Sequence, residues 1–203
     1  MLHSRMAMVS EHLPLCVRGD SMNQRRFKAN CIALGPVRIY PRQTGLVAAS
    51  LVMGWISFAP VHEYAHALAA MLVGMNVEKV DWAIDGRSGQ VVVSSWSSPL
   101  NNALVLAAPY LLAMVVAGIL FALAFKLNTL VLAAFPMPWL LFDLAQGGSE
   151  ASDLAQLTFW LSSCTSQALP VVYMIVGALF IFYVVGCGIL SVLWKRAVVR
   201  AVE

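Results

Sequence analysis

Charged residues are scarce in this chain of 203 residues. They make up 11% of it, whereas a soluble domain carries about 25%. Hydrophobic residues make up 60%, and the mean hydropathy is +0.77. This composition excludes an ordinary soluble domain and predicts a protein whose main solvent is the lipid bilayer.

Paired cysteines and a strong excess of basic charge are also lacking. The four cysteines include no CxxC pair, so neither a cysteine zinc site nor a disulfide framework is expected. The net charge is only +3, and the basic residues flank apolar segments instead of forming a polar face. The sequence therefore predicts no nucleic-acid partner.

The first 43 residues lack the apolar central stretch that a cleavable signal peptide needs. They contain seven basic and two acidic residues. We expect residues 1–43 to form a basic, flexible cytoplasmic arm, residues 44–197 to form a transmembrane domain, and residues 198–203 to form a short cytoplasmic tail.

Four apolar runs follow, at residues 44–75, 99–125, 127–142 and 169–194. A helix that crosses a bilayer needs about 20 such residues. Pro60 is expected to kink or split the first run, and Pro136 and Pro138 break the short third run. The pattern predicts an all-α membrane protein, a bundle of about four transmembrane helices.

A polar connector separates the first two runs. Its centre, Asp85 to Gly89, is typical of a turn, and the β-branched stretch Gln90 to Ser95 is typical of a strand. We therefore expect a short β-hairpin here, which is tolerated near a membrane where it is buried in protein or lines a wet cavity.

Basic residues flank the first and last runs, which places both termini in the cytoplasm when the number of spans is even. The sequence shows no organelle-targeting signal. Together these features favour a multi-pass protein of a prokaryotic inner membrane.

The chemistry resides in an HExxH motif in the first run. His62 and His66 lie four residues apart, so a helix presents both imidazoles on one face to a single zinc ion. Glu63 is placed to act as the general base for a water whose pKa the metal lowers from 15.7 toward about 7. A buried histidine that merely packs would explain one of these residues. It does not explain three ionisable groups within five residues at membrane depth, where each costs about 2.5–3.5 kcal/mol.

A catalytic zinc site usually has a third protein ligand. His3 and His12 lie in the basic arm, so a carboxylate is the better candidate. Asp153 and Asp143 are the first choices, followed by Glu150, then Asp81 and Asp85. Each acid could also be a solvated loop residue.

These residues resemble the site-2 protease family of intramembrane zinc metalloproteases. The resemblance is strongest over residues 60–74, PVHEYAHALAAMLVG, and continues in Ala107-Ala108-Pro109-Tyr110, which is similar to the family's small-residue–Gly–Pro segment. Residues 147–157 are similar to the family's Asp-containing motif. Ala108 and Leu154 stand where glycines are usual.

The resemblance covers roughly residues 44–160. It implies one zinc ion, with the third ligand on Asp153, and it aligns Asp143 with a family asparagine. It also implies that the substrate is a membrane-embedded segment of another protein. A helix hides its peptide bonds in its own hydrogen bonds, so such a segment must be unwound before attack.

The expected strand offers a way to hold an unwound segment, because Val91, Val92 and Val93 could add it as a further strand. An ordinary connector hairpin is the competing interpretation. For the whole protein, the alternatives to a protease are a zinc-binding membrane transporter and a non-catalytic membrane scaffold. The runs at 99–142 and 169–194 contain no His, Asp or Glu, so they offer little of the polar path that a transporter needs.

Overall fold

The computed structural model describes residues 32–34, 37–39, 41–82, 89–94, 98–146 and 152–202. These residues form six helices and four short strands. The strands are β1 (Ile32–Leu34), β2 (Val37–Ile39), β3 (Val77–Trp82) and β4 (Gly89–Val93). The helices are α1 (Pro41–Leu72), α2 (Pro99–Leu127), α3 (Leu130–Ala134), α4 (Met137–Gln146), α5 (Asp153–Ser162) and α6 (Ala168–Val202).

The chain divides into two compact units, residues 1–41 and 42–203. In the first unit, β1 and β2 pair antiparallel, with Ile32 opposite Ile39. The rest of the predicted basic arm up to residue 40 lies outside the described residues, so its flexibility stays a prediction. At the other end, α6 runs to Val202, and residues 198–202 of the predicted tail continue this helix.

Three of the helices are long and apolar enough to cross a membrane: α1, α2 and residues 168–198 of α6. Large apolar side chains on their outer faces are exposed, as at Leu72, Val115 and Tyr173, which is the surface that lipid covers. The predicted fourth span corresponds to a shorter apolar segment, Leu130–Ala145, which breaks into α3 and α4 at Phe135 and Pro136. The predicted all-α membrane protein with a β-hairpin is confirmed, and the chain is an integral membrane protein.

Pro60 was expected to kink or split the first span, and the split does not occur, because α1 is one continuous helix through this residue. A neighbouring helix supports α1 just before the proline. The Trp139 indole of α4 donates to the Gly54 carbonyl at 2.8 Å and to the Ser57 hydroxyl at 3.2 Å. These bonds hold α4 against α1 in the turn before the proline.

The apolar core lies between α2 and the four helices that follow it. Tyr110, Leu140, Leu157 and Leu179 are fully or almost fully buried within it. Helix α1 packs against this body through Phe58, which contacts the cluster of Ala113 and Trp139. The HExxH face of α1 is therefore turned toward protein, not toward lipid.

Strands β3 and β4 form the predicted hairpin. They pair antiparallel, with Trp82 opposite Gly89 and Val80 opposite Val91, and the register shifts between Val77 and Lys79. The observed β4 begins one residue before the predicted strand and ends at Val93. Val77 and Val93 pack on a small apolar cluster of Ala70, Met75 and Val105, which fixes the hairpin to α1 and α2.

Candidate metal centre and active site

The motif residues of α1 lie on the buried face of that helix. His62 and His66 are 5% and 6% exposed, and their ring centroids are 4.9 Å apart at an interplanar angle of 78°. Small residues at 65, 67 and 70 share this face and are buried, so neighbouring helices can come close. Tyr64, in contrast, is 57% exposed.

The outer nitrogens of both imidazoles converge on one carboxylate. Asp153 Oδ2 lies 2.9 Å from His62 Nε2 and 3.1 Å from His66 Nε2. One ligand atom from each of these three residues lies within 4.8 Å of the other two. The structure therefore brings together two histidines of α1 and an acid that is 87 residues or more away in the chain.

Asp153 owes its position to the start of α5. The preceding Ser152 caps this helix, because its hydroxyl accepts a hydrogen bond from the Ala155 N–H at 3.2 Å. Leu154 and Leu157 are buried in the core and anchor the first turns. As a result the Asp153 carboxylate projects toward α1 from the first residue of a fixed helix.

The inner nitrogens of the two imidazoles contact different acceptors. His66 Nδ1 donates to the Val105 carbonyl of α2 at 2.8 Å, and this bond is buried. His62 Nδ1 lies 3.3 Å from Asp143 Oδ1 of α4. Asp143 is fully buried, and its oxygens form no ideal hydrogen bond among the described residues, so this long contact with His62 is its principal polar interaction.

These contacts determine where the imidazole protons lie. A backbone carbonyl only accepts, so His66 Nδ1 must carry the hydrogen, and an ionised Asp143 would require the same of His62 Nδ1. In a neutral imidazole the Nε2 lone pair is then free. Two ring nitrogens and a carboxylate oxygen thus face one another at 2.9–3.1 Å, an arrangement that needs a proton or a metal ion between them.

The donor set fits a zinc ion. Two ligands of a tetrahedral zinc, each about 2.0–2.1 Å from the metal, lie about 3.3 Å apart, within a few tenths of an ångström of the distances between Asp153 and the two histidines. A carboxylate oxygen beside two imidazole nitrogens is an ordinary ligand set for zinc, and each of these groups binds the metal in its deprotonated form.

Glu63 meets the hairpin next to this centre. Its side chain is half-buried, and a Cβ atom added to Gly89 of β4 would collide with the Glu63 carboxylate. Glycine leaves the Glu63 carboxylate in this position, whereas a larger residue would displace it. The first residue of β4 is thus in contact with the predicted general base.

The remaining sequence candidates have different outcomes. Asp81 lies on β3, where it forms a largely exposed ion pair with Lys79, away from the cluster of His62, His66 and Asp153. Glu150 and Asp85 lie outside the described residues. Val91, Val92 and Val93 are half-buried on β4, and their role in substrate binding stays a prediction.

Sequence reasoning missed three contacts of the site: the Val105 carbonyl, the close approach of Gly89, and the Tyr110 ring, whose centroid is 5.9 Å from that of His62. Pro109-Tyr110 was noted only as part of a resemblance, although it marks the part of α2 that faces α1. No sequence pattern identifies Val105 as a contact of His66, because any residue can supply a backbone carbonyl.

Comparison with known proteins gives one match. Residues 47–142 match the family model described as Peptidase M50B-like. No curated protein and no solved structure matches the chain. The matched range contains the HExxH motif and the segment before Pro109, and it ends just before Asp143. This match identifies residues 47–142 as similar to a Peptidase M50B-like domain, a domain of the site-2 protease family, and it supports a membrane peptidase.

Proposed function

We propose that this protein is an intramembrane zinc metalloendopeptidase that cuts peptide bonds in or near the membrane-spanning segments of other proteins. The observation that carries the proposal is the convergence of His62 Nε2, His66 Nε2 and Asp153 Oδ2, with both Nδ1 atoms turned to acceptors. The peptidase family of residues 47–142 supports the same conclusion.

His62, His66 and Asp153 would hold one zinc ion. Asp143, the alternate third ligand, contacts the opposite nitrogen of His62, so a role behind the ring suits it better. A carboxylate behind a metal-binding imidazole fixes the ring orientation and makes the ligand more basic.

Glu63 is the proposed general base. Zinc, when bound, supplies a Lewis acid that makes water nucleophilic at neutral pH. Glu63 takes a proton from the water while the water oxygen bonds to the carbonyl carbon of the peptide. Glu63 then returns that proton to the peptide nitrogen as the C–N bond breaks. The burial of His62 and His66 keeps bulk water away from this chemistry, which strengthens every charge interaction in it.

The hairpin provides the proposed substrate-binding element. A membrane helix must become extended before its peptide bonds can be attacked, and an extended chain can be held by main-chain hydrogen bonds to a strand edge. Strand β4 begins beside Glu63 at Gly89 and continues through Val91, Val92 and Val93. A segment added along β4 would therefore pass the general base.

We place the protein in a prokaryotic inner membrane with both termini cytoplasmic. This topology requires the apolar segment Leu130–Ala145 to complete a fourth crossing together with the residues that follow it. The basic residues in the last turns of α6, Lys195 and Arg196, support a cytoplasmic carboxyl end.

Replacement of Glu63 by Gln tests the function. The purified protein is reconstituted in liposomes with a single-span reporter that carries Asn-Gly-Pro in the middle of its apolar segment and a tag at each end. We expect the wild type to bind one zinc and to cut the reporter within the span, as read by mass spectrometry. Glu63→Gln should keep the zinc and lose at least 100-fold in rate, because general-base catalysis contributes about 10²–10⁴-fold.

Two results would contradict the proposal. A wild-type protein that binds no zinc removes the metal site, and a Glu63→Gln variant that cuts at the wild-type rate removes the assigned base. Zinc uptake into the liposomes that persists in the Glu63→Gln variant, without cleavage by either protein, would instead identify a transporter.

A further inference from the structure

A proline in α2 lies one helical turn after a residue that contacts the metal centre. Pro109 is inside α2. In an α-helix the N–H of each residue bonds to the carbonyl four residues earlier, and proline has no N–H. The carbonyl left without its helical donor by Pro109 is that of Val105.

The Val105 carbonyl has another donor. His66 Nδ1 lies 2.8 Å from this oxygen, and the bond is buried. A buried carbonyl without a partner is costly, and a buried imidazole needs an acceptor for its Nδ1–H. The Val105 carbonyl thus accepts from His66 the hydrogen bond that Pro109 cannot donate, and His66 finds an acceptor for its Nδ1–H. Pro109 and His66 are 43 residues apart in sequence.

We propose that Pro109 is a positioning residue for the metal centre. Because it lacks an N–H, it leaves the Val105 carbonyl to His66, which fixes His66 with the hydrogen on Nδ1 and the Nε2 lone pair directed at Asp153 and the metal position. This inference rests on the proposed zinc site. It gives Pro109 a chemical role that a helix kink alone does not.

His62 and His66 differ in what lies behind the ring. His62 Nδ1 lies 3.3 Å from Asp143 Oδ1, a side-chain atom of α4. His66 Nδ1 has the Val105 backbone carbonyl at 2.8 Å, and a competing backbone N–H at position 109 would weaken that bond.

The test is Pro109→Ala, which restores the competing N–H. Zinc affinity is measured on purified protein by competition with a chromophoric chelator. We expect it to fall about tenfold, the lower end of the 10–100-fold loss that follows removal of a partner behind a metal-binding histidine. The helix itself should be at least as stable, since alanine is the better helix former, so thermal stability without metal should not fall.

A second variant isolates the N–H. The α-hydroxy analogue of alanine, introduced at position 109 by nonsense suppression, has the alanine side chain and an ester oxygen in place of the N–H. We expect it to restore most of the lost affinity. Pro170→Ala is the matched control, because Pro170 lies in the first turn of α6, where no helical carbonyl is deprived of its donor; its zinc affinity should equal that of the wild type.

The ¹⁵N NMR signals of His66 in metal-free protein give an independent readout. We expect the Nδ1–H tautomer in the wild type and a mixture of tautomers in Pro109→Ala. Unchanged zinc affinity and an unchanged tautomer in Pro109→Ala would overturn the inference, as would an ester variant no better than alanine. A wild type that binds no zinc would overturn the proposed function instead.

Discussion

The two sides of the candidate metal centre are built in different ways. On one side, a single helix supplies His62, Glu63 and His66 from five consecutive residues. On the other side, four separate elements each contribute one group: Asp153 of α5, Asp143 of α4, the Val105 carbonyl of α2 and Gly89 of β4.

The difference separates what one helix determines from what packing determines. The spacing of His62 and His66 needs only an intact helix. The groups that face them are held by the caps and core contacts of other helices, as Ser152 and Leu157 hold the start of α5. Substitutions on the second side can therefore change metal binding or catalysis while the HExxH helix stays unaltered.

Among the groups that face the HExxH helix, Asp153 is expected to have the largest effect on zinc binding when it is replaced. Asp153→Ala removes the oxygen on which both Nε2 atoms converge, and we expect the zinc content of the purified protein to fall from one equivalent toward none. Asp143→Ala should keep its zinc at high metal concentration and lose about 10–100-fold in affinity, as expected for a residue behind a ligand. Inductively coupled plasma mass spectrometry and chelator competition measure the two quantities.

The opposite result would reverse the assignment of the two acids. Zinc that survives in Asp153→Ala and disappears in Asp143→Ala would make Asp143 the ligand. Asp81→Ala is the matched control, because this carboxylate is half exposed and paired with Lys79, and its zinc content should not change.

The sequence predicts features that depend on one local segment, and it does not predict those that depend on packing between separate elements. The span pattern, the hairpin and the shared face of His62 and His66 are local properties, and the sequence carries them in hydropathy and in helical spacing. The sequence left open whether Pro60 kinks the first span or splits it, and the structure keeps α1 as one helix.

The sequence alone does not decide which of the two candidate acids is the third ligand. Asp143 and Asp153 both follow the third apolar run, and no rule of spacing ranks them as ligands. Their roles differ because α4 carries Asp143 to Nδ1 of His62 and α5 carries Asp153 to Nε2. Only the resemblance to a family motif favoured Asp153, and this is the carboxylate that lies 2.9–3.1 Å from both Nε2 atoms; its role as a ligand stays a prediction.

The hairpin offers the next test of the facing side, at Val92. Val92→Pro removes a backbone N–H from the middle of β4 and is poorly tolerated within a strand. We expect cleavage of the single-span reporter to be abolished while the zinc content stays at one equivalent, because none of the three proposed ligands lies on β4. Val92→Thr, which keeps the N–H and suits a strand, should cut at close to the wild-type rate. Normal turnover by Val92→Pro would reject substrate binding by strand addition.

Replacement of Gly89 is expected to have the smallest of these effects. It tests the contact between β4 and Glu63 of the HExxH helix. The Cβ of Gly89→Ala would occupy the space of the Glu63 carboxylate, and this flexible side chain would turn away at little cost to folding. A displacement of about 1 Å at a reacting group can cost about 100-fold in rate, so we expect a loss of about 10–100-fold in kcat with zinc affinity unchanged. Gly188→Ala in α6, where a Cβ meets nothing within 4 Å, is the matched control and should retain full activity. Because the metal ligands stay in place, a parallel loss of zinc in Gly89→Ala would mean that the hairpin supports the helix itself, and the separation between the two sides of the centre would fail.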